Sequence, residues 1–123
     1  MSTRTKTKTK PHDEPEKLAA MRQCLADREQ GLPYLVGSDK QIADFAPVRR
    51  QRVAEAYGLV CRLESIAKRT KTAPDQARAE ANLAWQAYQE LRSKTEVWFW
   101  IDQKDTHGHV LLDQQLRKLR AQD

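Results

Sequence analysis

Residues 48–68 read VRRQRVAEAYGLVCRLESIAK, and this stretch decides the predicted fold. Its apolar residues recur in alternating steps of three and four, which is the period of one face of an α-helix. A similar stripe follows Pro74, and a proline in the first turn is typical of a helix start. The first stripe consists of Val53, Ala56, Val60, Leu63 and Ala67, and the second of Ala77, Ala81, Ala84, Tyr88 and Leu91.

Glycine, serine and proline mark the ends of the other predicted helices. We predict one helix over residues 14–30, which Gly31 ends because glycine readily adopts left-handed backbone angles. A short helix follows, capped by Ser38 and Gln41. It ends before Pro47, because proline disfavours helical angles in the preceding residue. Within helix 14–30 the large apolar residues lie at helical spacing: Leu18, Met21 and Leu25.

Residues 96–112 fit two structures. Val97–Ile101 is β-branched and aromatic, and a turn separates it from Val110–Leu112, which is the pattern of a β-hairpin. An isolated hairpin is only marginally stable, however, and no other strand is indicated. We therefore favour helix on both sides of the turn. The predicted fold class is mainly α, a small bundle of four or five helices, with a short C-terminal hairpin as the alternative.

The net charge of +5 is unevenly distributed along the 123 residues. Charges of one sign that lie close together produce a field that attracts a polyanion or an acidic protein. The sequence therefore indicates an anionic partner. The charge is +4 for residues 1–10, −3 for residues 11–46, +5 for residues 47–72 and −1 for residues 73–123.

The first residues differ in composition from the rest of the chain. Alternating Thr and Lys offers nothing apolar to bury, so the segment cannot offset the entropy of ordering. The remainder has the length and the apolar content of one domain. We therefore predict a disordered basic arm over residues 1–12 and a single helical domain over residues 13–123.

Residues 39–57 resemble the helix-turn-helix spacing of many DNA-binding regulators. Ile42 and Ala43 take the apolar and small positions of the supporting helix, and Val48 takes the apolar position after the turn. The resemblance implies that the outward side chains of the second helix contact duplex DNA, since Arg and Gln form bidentate contacts with guanine and adenine. These side chains are Arg49, Arg50, Gln51 and Arg52.

The favoured function is thus a nucleic-acid-associated accessory or regulatory protein. Two alternatives concern the same cations: a solvated face on a core helix, or charge balance within the domain. Pairing of the arginines with Asp27, Asp39 or Asp44 would contradict the DNA hypothesis. If the DNA hypothesis holds, phosphate contacts are expected from Arg62, Lys68, Arg69 and Lys71, and from Arg4, Lys6, Lys8 and Lys10 in the arm.

The run Trp98-Phe99-Trp100 is a candidate partner interface. Five consecutive apolar residues cover every face of a helix, so something must cover the second side. The cover is either the core of the domain or a partner anchored on tryptophan, including a second protomer in a homodimer. This run or the basic face would then dock an acidic protein, which makes the chain a protein–protein interaction module such as a small inhibitor or adaptor.

No sequence motif indicates catalysis. A glycine-rich phosphate loop, a GxSxG elbow and a cysteine with a nearby histidine are all missing. We therefore predict no enzyme, no catalytic residue and no cofactor. His107 and His109 lie near Asp105 and Asp113, but a polar turn explains them better than a metal site does, so no metal is predicted.

Two further features concern location. The longest apolar run, Val97–Ile101, is far too short to cross a membrane, so no membrane partner is expected. Cys24 and Cys61 lie far apart and lack CxxC partners, which is typical of reduced thiols. Together these features predict a cytoplasmic protein.

Overall fold

The computed structural model describes residues 13–122, with side chains from Pro15 onward. This part of the chain is mainly α, which confirms the predicted small helical bundle. The predicted basic arm lies outside the described residues. The five helices are α1 (Asp13–Glu29), α2 (Asp39–Arg69), α3 (Pro74–Arg92), α4 (Val97–Asp102) and α5 (Gly108–Ala121).

The central element is α2, which contacts each of the other four helices. Its 31 residues correspond to a length of about 46 Å. One side of α2 is buried along most of this length, and the apolar residues of the other helices pack against it. The apolar part of that side consists of Ile42, Ala46, Val53, Ala56 and Val60.

The predicted helix boundary at Pro47 is wrong. Pro47 lies inside α2, and the helix continues through it without a turn. An internal proline removes one backbone hydrogen bond and destabilises a helix by about 3 kcal/mol. Here the buried residues before and after Pro47 fall on one side of a continuous helix, so packing in the core outweighs the local preference. Residues 39–57 therefore do not form a helix-turn-helix.

Both predicted helix starts are present, but only the first is capped by a side chain. At the start of α2, the Ser38 hydroxyl accepts from the Gln41 N–H, and the Gln41 side chain accepts from the Ser38 N–H, as the sequence predicts. At the start of α3, Pro74 occupies the first turn as expected. The N-cap there is Ala73, in a left-handed conformation with φ 49°, and no side chain caps the helix.

The C-terminal part is helical on both sides of the turn, which makes the hairpin alternative wrong. The α4 helix buries Trp100, whose indole N–H donates to the Lys94 carbonyl at 3.0 Å. The α5 helix buries four leucines against α2 and α3. Among the described residues the only β-type pairing is an isolated bridge between Val36 and Glu96. Burial of an aromatic and aliphatic core face outweighs the β propensity of residues 97–101.

The first residue of α5, Gly108, meets the backbone of α2. A Cβ at this position would lie 2.1 Å from the carbonyl oxygen of Arg52 and 2.8 Å from the nitrogen of Ala56. The Gly108 N–H donates to Glu55 Oε1 at 2.8 Å, so a carboxylate of α2 caps α5. Burial raises the pKa of Glu55, but hydrogen bonds from Gly108 and Arg52 outweigh it, and the pKa is lowered.

Replacing Gly108 by alanine should destabilise the fold, because the new methyl group would meet backbone atoms that cannot rotate away. We expect Gly108→Ala to lower the free energy of unfolding by about 1–3 kcal/mol in urea denaturation. The matched control is Gly58→Ala, because a Cβ at Gly58 has no neighbour within 4 Å. This control should stabilise α2 by about 0.5–1 kcal/mol. Equal effects of the two substitutions would contradict the close contact.

Candidate interaction surface

The arginines predicted to contact DNA are engaged inside the protein. Arg49 is fully buried and Arg50 is mostly buried, and both pair with Asp27 of α1. Arg52 pairs with Glu55 at 3.0 Å and donates to the carbonyl of Lys104. The predicted outward face of Arg49, Arg50 and Arg52 is therefore wrong. Of the four residues proposed for base contacts, only Gln51 is exposed.

Asp27, Arg49 and Arg50 form a cluster that we call the buried ion triad. Asp27 Oδ1 lies 2.7 Å from Arg50 Nη1, and Oδ2 lies 2.8 Å from Arg49 Nη2. The second contact is close but not aligned as a hydrogen bond, and Arg49 Nε and Nη1 have no acceptor in the described part of the chain. Arg50 also donates to the carbonyl and the side chain of Gln23. Burial lowers the pKa of Arg49, and the Asp27 charge opposes this shift.

The buried ion triad determines the rotation of α1 about its own axis. Successive residues of an α-helix are about 100° apart, so Leu18 and Leu25 lie roughly 180–200° from Asp27. With Asp27 against α2, these two side chains and Met21 must point away from the bundle. Their exposures are 55% for Leu18, 60% for Met21 and 58% for Leu25. We call these three residues the α1 face.

An apolar cavity lies beside the α1 face. It has a volume of about 270 Å³ and is lined by residues of α1 and of the start of α2. Both helices run in the same direction here, because Ala20 and Ile42 line the cavity while Asp27 reaches Arg49. Burial and the neighbouring Asp27 raise the pKa of the Cys24 thiol. The lining residues are Ala20, Met21, Cys24, Leu25, Asp39 and Ile42.

Three more exposed apolar side chains lie around the start of α2, and we call them the loop patch: Tyr34, Val36 and Trp98. Val36 donates to the carbonyl of Thr95 at 2.8 Å and accepts from the N–H of Val97 at 3.1 Å. This pairing connects the loop before α2 to the start of α4, where Trp98 is 63% exposed. The α1 face and the loop patch contain six of the nine exposed large hydrophobic residues of the described chain.

The aromatic run predicted as a partner interface is divided by the fold. Trp100 is fully buried in the core, so its assignment to an interface is wrong. Phe99 is half-buried and packs edge-on against Trp100, with ring centroids 4.9 Å apart. Trp98 alone points to solvent. The short α4 helix produces this division, because successive residues of a helix face different directions.

The remaining predicted cations lie at the opposite end of α2. Arg62, Lys68, Arg69 and Lys71 are exposed, and none forms an ion pair within residues 15–122. Their position near the helix C-terminus is also favourable for the helix dipole. Arg4, Lys6, Lys8 and Lys10 lie outside the described residues.

The described residues contain no cluster of three or more metal-binding side chains. His107 instead caps α5, and its Nδ1 accepts from the His109 N–H at 3.1 Å. No helix of the described chain is long and apolar enough to span a bilayer.

Removing the shared carboxylate should destabilise the protein strongly, because the Arg49 charge would remain buried without a partner. We expect Asp27→Ala to lower the free energy of unfolding by about 3–5 kcal/mol in urea denaturation. The control is Asp44→Ala, which breaks an exposed pair with Lys40 and should cost about 0.5 kcal/mol or less. The double variant Asp27→Leu/Arg49→Met replaces the buried ion pair by apolar side chains. It should therefore recover most of the stability that is lost in Asp27→Ala. Similar losses for Asp27→Ala and Asp44→Ala would contradict a role for the buried ion triad.

Comparison with known proteins leaves the surface to be interpreted from its own geometry. No protein-family model matches the chain, and no curated protein or solved structure matches it. The α1 face, the cavity and the loop patch are therefore the observations from which a function can be argued.

Proposed function

We propose that this protein is a non-enzymatic protein–protein interaction module that docks an apolar segment of a partner protein on the α1 face. The observation that carries this proposal is the outward position of Leu18, Met21 and Leu25, on successive turns of one helix. The cavity adjoins this face, since Met21 and Leu25 line it, and the loop patch adds exposed apolar side chains near the start of α2. A cytoplasmic location belongs to the proposal, and the free thiols of Cys24 and Cys61 are consistent with it.

The α1 face leaves apolar side-chain surface in contact with water. Complete burial of a leucine side chain contributes about 1.5–3 kcal/mol, so covering the exposed halves of Leu18 and Leu25 contributes about 1 kcal/mol each. Contiguous exposed apolar patches on soluble proteins commonly mark interaction sites. Exposed tryptophan is also a frequent anchor of interfaces, and Trp98 occupies such a position in the loop patch.

The exposure of the α1 face does not result from loose packing of α1 against the bundle. Its rotation is imposed by the buried ion triad, and a rotation of about 180° would bury the leucines but expose Asp27. The residues of α1 nearest to α2 are small or polar, including Ala20 and Cys24, so α1 lies close against α2 while its bulky side chains remain available.

Substitutions on the α1 face should weaken partner binding without unfolding the protein. In affinity capture from the source cells, we expect wild type to retain proteins that Leu18→Ser/Leu25→Ser does not. The matched control is Ile66→Ser/Val110→Ser, because these residues are similarly exposed but lie elsewhere. The captured protein is then purified, and calorimetry should show a dissociation constant at least about tenfold higher for the face variant, or about 1.4 kcal/mol.

Two results would contradict this proposal. One is equal binding of the purified partner to the face variant and to the control variant. The other is a wild-type homodimer that dissociates only in the face variant when measured by sedimentation equilibrium, since a second copy would then be the natural occupant. Circular dichroism and urea denaturation midpoints verify that both variants are folded.

Because Arg49 and Arg50 pair with Asp27, they are not proposed to contact DNA bases, and the second candidate function is limited to contact with the phosphate backbone of duplex DNA or with another polyanion. The supporting observation is the group of exposed cations near the end of α2: Arg62, Lys68, Arg69 and Lys71. Unlike Arg49, Arg50 and Arg52, these side chains are available to phosphate. Such contacts would be independent of base sequence, because they would involve the DNA backbone.

Replacing the four cations by alanine should reduce both the affinity for DNA and its salt dependence. Fluorescence anisotropy with a labelled random duplex measures both quantities, and each lost phosphate contact lowers the salt slope by about 0.9. The control replaces four exposed cations elsewhere: Lys40, Lys104, Arg117 and Lys118. Equal losses in the two variants would show only a general charge effect and would contradict a specific site.

A further inference from the structure

We infer that the partner segment is an amphipathic helix with acidic residues beside its apolar stripe, lying along α1 with one large apolar side chain in the cavity. This inference rests on the proposed function. It adds the conformation of the segment, the sign of its charge and the position of its anchor.

The shape of the surface favours a helix. Leu18, Met21 and Leu25 follow the 3–4 spacing with which one helix packs its stripe against another. The cavity lies between α1 and the start of α2, so it provides a groove beside this stripe. An added β-strand would need an open strand edge, and the described residues contain no sheet. The backbone groups inside α1 are already bonded within the helix.

The charges around the α1 face favour an acidic occupant. The exposed charged side chains described on α1 are Lys17, Arg22, Arg28 and Glu29, and together with the half-buried Glu16 they sum to +1. Neither Arg22 nor Arg28 forms an ion pair within residues 15–122. A second copy would oppose these cations with its own, whereas an acidic helix would neutralise them.

Asp39 makes the expected charge pattern asymmetric. Its carboxylate lies on the α2 side of the cavity, across from α1. On the partner helix, acidic residues are therefore expected on the side of the apolar stripe that faces α1. Neutral or basic residues are expected on the side that faces Asp39. The groove thus selects one orientation of the bound helix.

The cavity accommodates an anchor side chain. An apolar cavity of about 150 Å³ is large enough for benzene, and this one has about 270 Å³. Apart from Asp39, its lining is apolar or carries a weakly polar thiol. A leucine or phenylalanine of the partner helix would fill it, whereas an alanine would leave most of it empty.

Synthetic helical peptides test the inference directly. Two labelled peptides of about 20 residues share one leucine stripe, and the flank expected to face α1 carries glutamate in one and lysine in the other. In anisotropy titrations of the full chain at about 50 mM salt, the glutamate peptide should bind about tenfold more tightly. The preference should shrink at about 500 mM salt, and replacing the central leucine of the peptide by alanine should weaken binding about tenfold or more.

Charge reversal on the protein provides the matched comparison. Lys17→Glu/Arg28→Glu should reverse the preference, so that the lysine peptide binds more tightly, because both cations lie on the cavity side of the α1 face. Arg117→Glu/Lys118→Glu makes the same change in charge on the exposed side of α5 and should leave the preference as in wild type.

The outcomes separate this inference from the proposed function. Equal binding of the two peptides, lost in Leu18→Ser/Leu25→Ser, would overturn the acidic partner while supporting apolar docking on the α1 face. Absence of binding by either peptide would overturn the helical, acidic occupant. Peptide binding that is unchanged in Leu18→Ser/Leu25→Ser would contradict both proposals.

Discussion

The ion pair between Asp27 and Arg49 is the interaction on which the rest of the surface depends. Arg49 lies in the buried side of α2, where its charge needs a partner, and Asp27 is the carboxylate that reaches it. Satisfying this contact orients α1, and the orientation of α1 places its large apolar side chains in solvent. The same contact removes arginines from the outer surface of the basic block.

A buried ion pair contributes little net stability compared with well-packed apolar residues, because desolvation offsets the attraction. Its effect here concerns specificity. With apolar residues at both positions, α1 could pack against α2 in either of two rotations, and the one that buries Leu18 and Leu25 would cover more apolar surface. The buried charges exclude that rotation, so we infer that they keep the α1 face available.

The long α2 helix joins two ends with different surfaces. Around its start lie the α1 face, the cavity and the loop patch, and near its end lie exposed cations. Because α2 is continuous through Pro47, these surfaces lie at opposite ends of one helix, and the close contact at Gly108 attaches α5 to its middle. The bundle is therefore a scaffold whose surfaces are positioned by one helix.

Local physical chemistry determined most of the helical elements, and the sequence was sufficient to predict these. The stripe around Val53 and Val60, the stop at Gly31 and the cap at Ser38 follow from spacing and backbone preference. The site depended on contacts between residues distant in the chain. The 3–4 spacing of Leu18, Met21 and Leu25 was visible in the sequence, but spacing alone does not determine whether such a stripe faces the core or the solvent. The burial of Arg49, the division of Trp98 from Trp100 and the continuation through Pro47 were decided by the tertiary structure, because the burial of each side chain depends on which helices pack around it.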